Sequence, residues 1–470
     1  MFRNTHLHVQ RTRFLWVVLT GIFWALHFQT GFAAVRDMVP KKPGTDRELI
    51  VKFRAGTTTE EKTSALRNAA RVKSFAGKGR MRAAGAQGVG GINRLEVREG
   101  MEVDAELARL RINPAVEYVE PNYPIKLFTS TNELVLPNDF EFSKMYALHN
   151  LGSTEWATNA DVSAPEAWAF TTGSKSVIVA VVDTGIDYLH DDLKENLWLN
   201  QGEIASNGVD DDGNGYVDDV IGYDFVWNES DPFDDNQHGT HVAGTIGAKG
   251  NNGIGTVGVC WDVSLMALKA FDQDGNGTVG DAIAAITYAV ENGARIINAS
   301  WGLNDRSRAL EEVTQFAAKA GVLIIAAAGN DRSEDPSYPA SFETVLSVAA
   351  TDAKDERADF SNFGQYVDVA APGANVLSTL PENGYGYLSG TSMAAPHVSG
   401  MAALVLSRFP IYTREELFDI LVNSVDAVTV DLPIGNGRIN LSRAVQMDQP
   451  LPTARLKVRD TVSGFVDVTG

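Results

Sequence analysis

Three short segments carry residues that could do chemistry together: VVDTGID at Val181–Asp187, QHGTHVAG at Gln237–Gly244 and GTSMAAPHVSG at Gly390–Gly400. In chain order they offer an aspartate, a histidine and a serine, each beside glycine or another small residue. A serine hydroxyl is a poor nucleophile at neutral pH. It needs a base to take its proton and a buried carboxylate to orient that base. Asp183, His238 and Ser392 are the candidates for orienting carboxylate, general base and nucleophile. Taken alone, an aspartate at the end of an apolar run is more often a cap or turn former; here Gly185 lets the chain turn sharply so that a histidine can approach. A fourth segment, AAAGN at Ala326–Asn330, ends in an amide able to donate to a developing oxyanion. Ser392 stands in G-T-S-M-A rather than in the GxSxG elbow of α/β-hydrolases, which argues against a lipase or esterase of that fold. Thr391 is placed to cap the helix that follows, and Pro396 agrees with an early helix position.

A second kind of chemistry is written in VDDDGNGYVDD, Val209–Asp219, where acids and glycines alternate. Asp210, Asp212, Asn214 and the carbonyl of Tyr216 take positions 1, 3, 5 and 7 of a calcium loop, with Asp218 or Asp219 to complete the shell. The segment departs from an EF-hand, because Ile221 stands where the bidentate glutamate belongs and no flanking helix pair is evident. The competing reading is an acidic surface loop. His238 and His241 make no zinc pair, since HGTH lacks the glutamate of HExxH.

These residues must be held by a frame. SVIVAVV, SLMALKAF, RIINAS, GVLIIAAA and TVLSVAA are near-continuous apolar runs, as strands of a parallel sheet buried on both faces require. DAIAAITYAVENGA and SRALEEVTQFAAKAG have helical spacing and end in glycine. Strands alternating with helices predict an α/β fold with a doubly wound, mainly parallel sheet and helices on both faces. Sites in such sheets form where strand ends meet helix starts, and Asp183 and Asn330 each close a strand run. Before this region lies a small α/β unit. ELIVKF, NRLEV and AVEYVEPNY read as strands, and EEKTSALRNAARV (60–72) and DAELARLRINP as helices. GKGRMRAAGAQGVGG is a glycine-rich loop. After it, ARLKVRD and GFVDVTG alternate like strands, a tail or the start of a further β module.

At 470 residues, two or three domains are expected. One cysteine, Cys260, excludes an intramolecular disulfide framework, so stability must come from the core or from metals; within VGVCW it is expected to be a buried small hydrophobe. The net charge of −20 hides a split. Residues 1–137 hold 21 Lys and Arg against 13 Asp and Glu, a balance of +8, which leaves 19 against 47, or −28, for the remainder. So acidic a body repels nucleic acid and anionic lipid, and its loops favour cations. A basic segment ahead of it also suits a partner folding against it, although solubility alone would account for the charge. Arg3, Arg11 and Arg13 precede the uncharged stretch Phe14–Val35, and Gly31 and Ala33 suit cleavage near Ala33 or Ala34. A secretory signal peptide is expected, with a retained membrane anchor as the alternative.

Taken together and in order, the four segments resemble the subtilisin-like serine proteases over about Pro137 to Val445. The resemblance implies a secreted, calcium-stabilised serine endopeptidase made as a self-processing zymogen. In the family pattern HGTHVAG the first histidine is the base, which assigns His238 and leaves His241, with His190 and His397, structural. Asn330 and the Ser392 N–H become the oxyanion donors. Ser300, Trp301 and Gly302 match the segment whose extended backbone pairs with substrate; Ala328 and Gly329 match the opposite wall; Ser337 matches the base of the first specificity pocket. Main-chain pairing implies broad specificity, while Trp301, larger than the usual residue, would narrow the second apolar subsite. NNGIGTVGV, Asn251–Val259, matches a calcium loop with the Asn252 side chain and the carbonyls of Ile254 and Thr256 as ligands, Asp192 adding a carboxylate and Asp139 an N-terminal ligand. Residues 1–34 are then signal peptide, 35–136 an inhibitory propeptide that aids folding and blocks the cleft, 137–445 the catalytic domain and 446–470 the tail. Thr129–Pro137 is the linker expected to be cut. Peptide substrates and the chain's own propeptide are the expected partners, with no nucleic acid, no membrane after signal cleavage and a monomer. Two rival readings stand beside this one: a catalytically silent binding or surface module of the same fold, and a processing protease with few targets.

Overall fold

The computed structural model describes residues 47–74, 92–122, 134–153, 156–428 and 432–448. The expected signal segment, the glycine-rich loop, most of the linker and nearly all of the tail lie outside the described residues. The chain divides between Thr129 and Ser130 into two compact units. Among the described residues no helix is long and apolar enough to cross a membrane.

The first unit runs β1 (Glu48–Phe53), α1 (Thr59–Ala65), β2 (Ala69–Ser74), β3 (Ile92–Val97), α2 (Val103–Arg111), β4 (Val116–Pro121). The strands form one antiparallel sheet in the order β2-β3-β1-β4. Alternation in ELIVKF buries Leu49, Val51 and Phe53 against Leu107 and Leu110 of α2. The helix expected over 60–72 stops at Ala65, and its second half becomes the edge strand β2. Tertiary partners override helical propensity there. The Arg98 N–H donates to the Asn68 carbonyl at 3.1 Å, and Asn68 Nδ2 donates to Glu106 Oε2 at 2.8 Å. Arg109, paired with Glu106, closes the end of α1 by donating to the Ala65 carbonyl at 2.5 Å.

The second unit runs α3 (Ala164–Trp168), β5 (Gly173–Asp183), β6 (Gly222–Asp224), α4 (His238–Gly247), β7 (Asp262–Lys269), α5 (Val279–Glu291), β8 (Ile296–Ala299), α6 (Arg308–Lys319), β9 (Leu323–Ala327), β10 (Val345–Thr351), β11 (Val369–Pro372), β12 (Val376–Leu380), β13 (Gly384–Leu388), α7 (Thr391–Arg408), α8 (Arg414–Asn423), β14 (Val425–Asp426), β15 (Arg438–Ile439), α9 (Leu441–Gln446). The five apolar runs are all strands of one nine-stranded sheet, ordered β14-β15-β11-β10-β9-β8-β5-β7-β6. Every pair in it is parallel except β14–β15. Successive residues of β5 enter opposite cores. Val179 and Val181 join the cluster holding Val242 and Ile246 of α4 and much of α7, while Ala180 and Val182 join that holding Ile286 of α5 and Leu310 of α6. That is the doubly wound arrangement with helices on both faces. Cys260 is buried, and burial pushes its thiol up to about 12, so it behaves as a small apolar side chain.

The order of strands reverses beside β5. From β5 the chain passes to β6 and β7 on one side, then crosses to β8 on the other. The loops leaving β5 and β8 therefore separate, and the crevice between them is where such sheets bind ligands.

Candidate active site

Asp183 is the last residue of β5 and 2% exposed. His238 is the first residue of α4, and its Nδ1 lies 2.7 Å from Asp183 Oδ1. Two glycines allow that approach: a Cβ on Gly239 would overlap the Gly185 carbonyl, and Gly185 itself has φ +104°. Gln237, just before His238, has φ +136°, a strained value for a residue with a side chain. Burial pulls the His238 pKa down, but the Asp183 charge and hydrogen bond, with the Asp234 charge, outweigh it, and the imidazole is held above its ordinary value.

The sequence pattern did not single out the groups that fix this pair. Buried Asp234 accepts from Thr184 Oγ1 at 2.8 Å, from the N–H groups of Asn236 and Gln237 at 3.0 Å each, and from Thr240 through N–H (2.8 Å) and hydroxyl (2.6 Å). Thr184 Oγ1 accepts in turn from the Gly239 N–H at 2.9 Å. One carboxylate thus joins the end of β5 to the start of α4 and satisfies N–H groups there. An acid four residues before the histidine was the available signal. Buried Lys269 donates to the carbonyls of Thr184 (2.8 Å) and Phe271 (3.1 Å) and pairs with Asp235 at 2.6 Å.

Ser392 lies in the first turn of α7. Its hydroxyl donates to the Ser300 carbonyl at 2.9 Å rather than to His238. A hydrogen bond between Ser392 and His238 would therefore require the hydroxyl to turn. Thr391 is not the cap expected. Gly390 holds the N-cap position, and Thr391 is the first helical residue. Its hydroxyl instead accepts from the Gly329 N–H at 3.1 Å and donates to Asn330 Oδ1 at 3.0 Å, while its N–H donates to the same oxygen at 2.9 Å. With Oδ1 held from two sides, the Asn330 amide nitrogen points away and donates to no protein acceptor among the described residues. Pro396 is the sixth residue of this 18-residue helix, early in it but past the first turn.

Ser300, Trp301 and Gly302 leave the end of β8. Among the described residues the peptide groups of Trp301 and Gly302 make no hydrogen bond, so this edge is free to pair. The other wall differs. The Ala328 N–H donates to Val348, its carbonyl accepts from Asn362 and Tyr366, and the Gly329 N–H is taken by Thr391. Ala328 and Gly329 form a rigid surface rather than a pairing edge. Buried Ser337 lies between the two walls, since a Cβ on Gly302 would stand 2.6 Å from its Oγ and one on Gly329 3.6 Å from its Cβ. Trp301 donates through Nε1 to the Val182 carbonyl at 3.0 Å and packs 5.7 Å from the Phe271 ring. Its indole helps line a cavity of about 180 Å³ with Asp183, His238, Phe271 and Ser300.

The three histidines expected to be structural are occupied elsewhere. His241 Nε2 donates to Val376 O at 3.0 Å and His397 Nδ1 to Met393 O at 2.8 Å; burial pushes both pKa values down to about 4, so both stay neutral. His190 Nε2 donates to Gly384 O at 3.1 Å.

Two acidic places lie outside the cleft. In the loop at 209–219, Asp212 and Asp219 come together with Glu203, one oxygen of each within 4.8 Å of the others. Asn214 Nδ2 bridges Asp212 and Asp219 at 3.2 and 2.9 Å while its Oδ1 accepts from the Tyr216 N–H at 2.8 Å, so ligation by Asn214 requires its amide to turn. Asp210 turns both oxygens to the N–H groups of Gly213, Asn214 and Gly215, folding the loop, and the Tyr216 ring packs into an aromatic cluster with Tyr223 and Tyr288. Glu203 lay outside the repeating pattern and was invisible to it. In the second place Asp192 accepts from Asn252 Nδ2 (2.7 Å), the Thr256 N–H (3.0 Å) and Tyr385 (2.9 Å), and the Ile254 N–H is taken by Asn252 Oδ1 at 3.0 Å. Asp139 Oδ2 accepts from the Asn251 N–H at 2.7 Å, while buried Oδ1 has no hydrogen-bond partner among the described residues. Burial, then the nearby Asp192 charge, pushes the Asp139 carboxyl up to about 6 against the pull of its backbone hydrogen bonds. An orphaned buried carboxylate oxygen beside a second buried carboxylate suits a hard cation. Ligation by Asn252 requires its amide to present oxygen where it now presents nitrogen.

Residues 174–438 match the model of the subtilase family, and residues 39–122 match that of the fervidolysin N-terminal prodomain. A thermophilic serine proteinase of Bacillus sp. (strain AK1) is 38% identical over 365 residues, which cover 77% of this chain and 78% of that one. Thermitase of Thermoactinomyces vulgaris is 36% identical over 286 residues, 61% of this chain and 94% of its own. A solved protease structure from Pseudoalteromonas arctica PAMC 21717 superposes with a TM-score of 0.57 at 30% identity, covering 66% of this chain and 98% of that one.

Proposed function

The chain belongs to the subtilase family of serine endopeptidases and carries its prodomain, and from that premise we propose that Ser392, His238 and Asp183 cleave peptide bonds through an acyl-enzyme. The observation that carries the reading is the Asp183–His238 pair beside the point where the strand order reverses, in a cavity it shares with Ser300, whose carbonyl takes the Ser392 hydroxyl, with the Asn330 amide held by Thr391, the residue before Ser392. Substrate pairs its backbone with Trp301 and Gly302, which sets the scissile carbonyl before Ser392. His238 takes the hydroxyl proton, Asp183 holds the imidazole and stabilises its charged form, and the Asn330 amide with the Ser392 N–H receives the oxyanion. His238 then protonates the leaving amine, and water releases the acyl group. The slot above Ser337 admits a large apolar side chain. The cavity walled by Trp301 and Phe271 takes a compact apolar one. Backbone pairing leaves the enzyme broad in specificity.

We read residues 1–34 as a secretory signal, 35–136 as the inhibitory propeptide removed by self-cleavage near 129–137, 137–445 as the secreted, monomeric catalytic domain and 446–470 as a tail or the start of a further module. Calcium occupies two places: Asp139 and Asp192 with Asn252 and the carbonyls of Ile254 and Thr256, and Asp212, Asn214 and Asp219 with Glu203, in the loop that Asp210 folds and to which the Tyr216 carbonyl belongs. In a chain without a disulfide, an ion bound by the folded state alone stabilises it by mass action.

One experiment tests activity and ion together. The chain, expressed without residues 1–34, is given casein and a serine-directed phosphonate, with calcium or after EDTA. We expect casein breakdown, a single adduct on Ser392, and a melting temperature lowered by EDTA and restored by calcium. An ion held at a hundred times its Kd contributes about 2.7 kcal/mol, which in a domain above 250 residues shifts melting by a few degrees. Intact casein and an unlabelled Ser392 would leave the binding-module reading in its place. A melting temperature indifferent to EDTA would remove the calcium.

The raised His238 pKa has its own consequence. The base must be neutral to work, so kcat/KM climbs as pH rises through that value, and the midpoint of the acid limb should lie above the ordinary histidine value of about 6.5. Asp234→Asn removes one negative charge that favours the imidazolium, and the midpoint should move to lower pH. An unmoved limb would show that Asp234 does not act on His238.

A further inference from the structure

Pro396 lies inside α7. A proline there removes the N–H that would serve the carbonyl four residues earlier, and that carbonyl belongs to Ser392. A buried carbonyl deprived of its donor costs free energy unless another group supplies one. Ser300 Oγ does so, donating to the Ser392 carbonyl at 2.8 Å. Asn298 Nδ2 donates to Ser300 Oγ at 2.9 Å, and Ser399 Oγ donates to Asn298 Oδ1 at 2.8 Å. Asn298, Ser300 and Ser399 are all buried. The chain of hydrogen bonds leaves α7 at Ser399, crosses to the end of β8, and returns to α7 about two turns earlier at Ser392.

We propose that Ser300, backed by Asn298 and Ser399, is a positioning residue that takes the place of the helical N–H lost at Pro396 and thereby sets the first turn of α7. This rests on the reading of Ser392 as nucleophile. The attacking hydroxyl and an oxyanion-donating N–H belong to this one residue, whose carbonyl Ser300 Oγ holds. A tilt of the turn moves both reacting groups together, so the hydroxyl of Ser300 governs turnover more than substrate binding. The backbone of the same residue starts the substrate edge, but the backbone survives a side-chain substitution, which separates the two roles. Free rotation of the Asn298 amide would weaken the relay, and Ser399, fixed on the helix, prevents it.

The test is a double-mutant cycle on the self-processed enzyme, with a soluble chromogenic peptide as substrate. Phosphonate titration counts competent sites, so that partial misfolding lowers the enzyme concentration rather than kcat. Ser300→Ala should lower kcat by about tenfold, the size of one lost buried hydrogen bond, with KM within about twofold. Pro396→Ala returns an N–H to the Ser392 carbonyl. In that background the same Ser300→Ala change should lower kcat by no more than about twofold. Ser300→Cys, a weaker donor of similar shape, should fall between serine and alanine and carries the test if the alanine variant does not accumulate. The relay is overturned by an equal loss in both backgrounds, by a loss confined to KM, or by no loss in a wild type that titrates fully. A wild type that fails to titrate at Ser392 removes the nucleophile assignment and the relay with it.

Discussion

Ser392→Ala should leave the chain, expressed without residues 1–34, whole after incubation with calcium, while the wild type loses its propeptide by a cut near 129–137. Mass spectrometry of the two side by side reads the result. The variant lacks the only oxygen proposed to attack the scissile carbonyl. Asp183, His238 and Asn330 remain in place, since among the described residues Ser392 Oγ bonds only the Ser300 carbonyl. Turnover on peptide substrate should fall by about a million-fold, the loss that removal of the nucleophile causes in subtilisin. The substitution removes one hydroxyl, so the melting temperature should hardly move. If both proteins are cut at the same bond, another protease makes the cut and self-processing fails. If both stay whole and the wild type spares casein, the catalytic reading fails with it.

Replacement of Asn330 by leucine should lower kcat by about 100- to 1000-fold with KM nearly unchanged, because the amide meets its charged partner only as the tetrahedral intermediate forms. Asn330 is exposed, its Oδ1 is engaged by Thr391, and its nitrogen is uncommitted. The leucine variant loses the outward donor and also the acceptor of the buried Thr391 N–H and hydroxyl, so its melting temperature is read beside its kinetics. Steady-state kinetics at saturating substrate, with active-site titration, decide it. A variant that loses KM and keeps kcat would show that the amide binds substrate instead of the oxyanion, and the Ser392 N–H would then stand alone.

The reliability of the sequence patterns differed from element to element for physical reasons. SVIVAVV and its sister runs declared buried parallel strands because both faces of such strands meet apolar cores, as the split of Val181 and Val182 between two clusters bears out. The Ala-rich 60–72 misled, because half of it is held by Asn68 against Glu106 and Arg98, partners some thirty or more residues away that no local window contains. Thr391 misled in another way. A threonine at a helix start is a good cap by propensity, yet here the stronger acceptor is Asn330 Oδ1, brought to it by the packing of β9 against α7.

By itself the sequence determined the chemical types and their order: aspartate, histidine, asparagine and serine in small-residue settings, a parallel sheet to carry them, and acidic loops beside them. Those follow from local spacing and from side-chain chemistry, which a chain carries whether folded or not. Only the tertiary structure decided which groups serve them. Asp234 joins β5 to α4, Thr391 turns the Asn330 amide outward, Glu203 comes to Asp212 and Asp219, and Ser300 fills the place that Pro396 leaves on the Ser392 carbonyl. Three of these are hydrogen bonds of about 3 Å and the fourth is a group of carboxylate oxygens within 4.8 Å of one another, all between groups brought together by packing, and sequence separation encodes none of those distances.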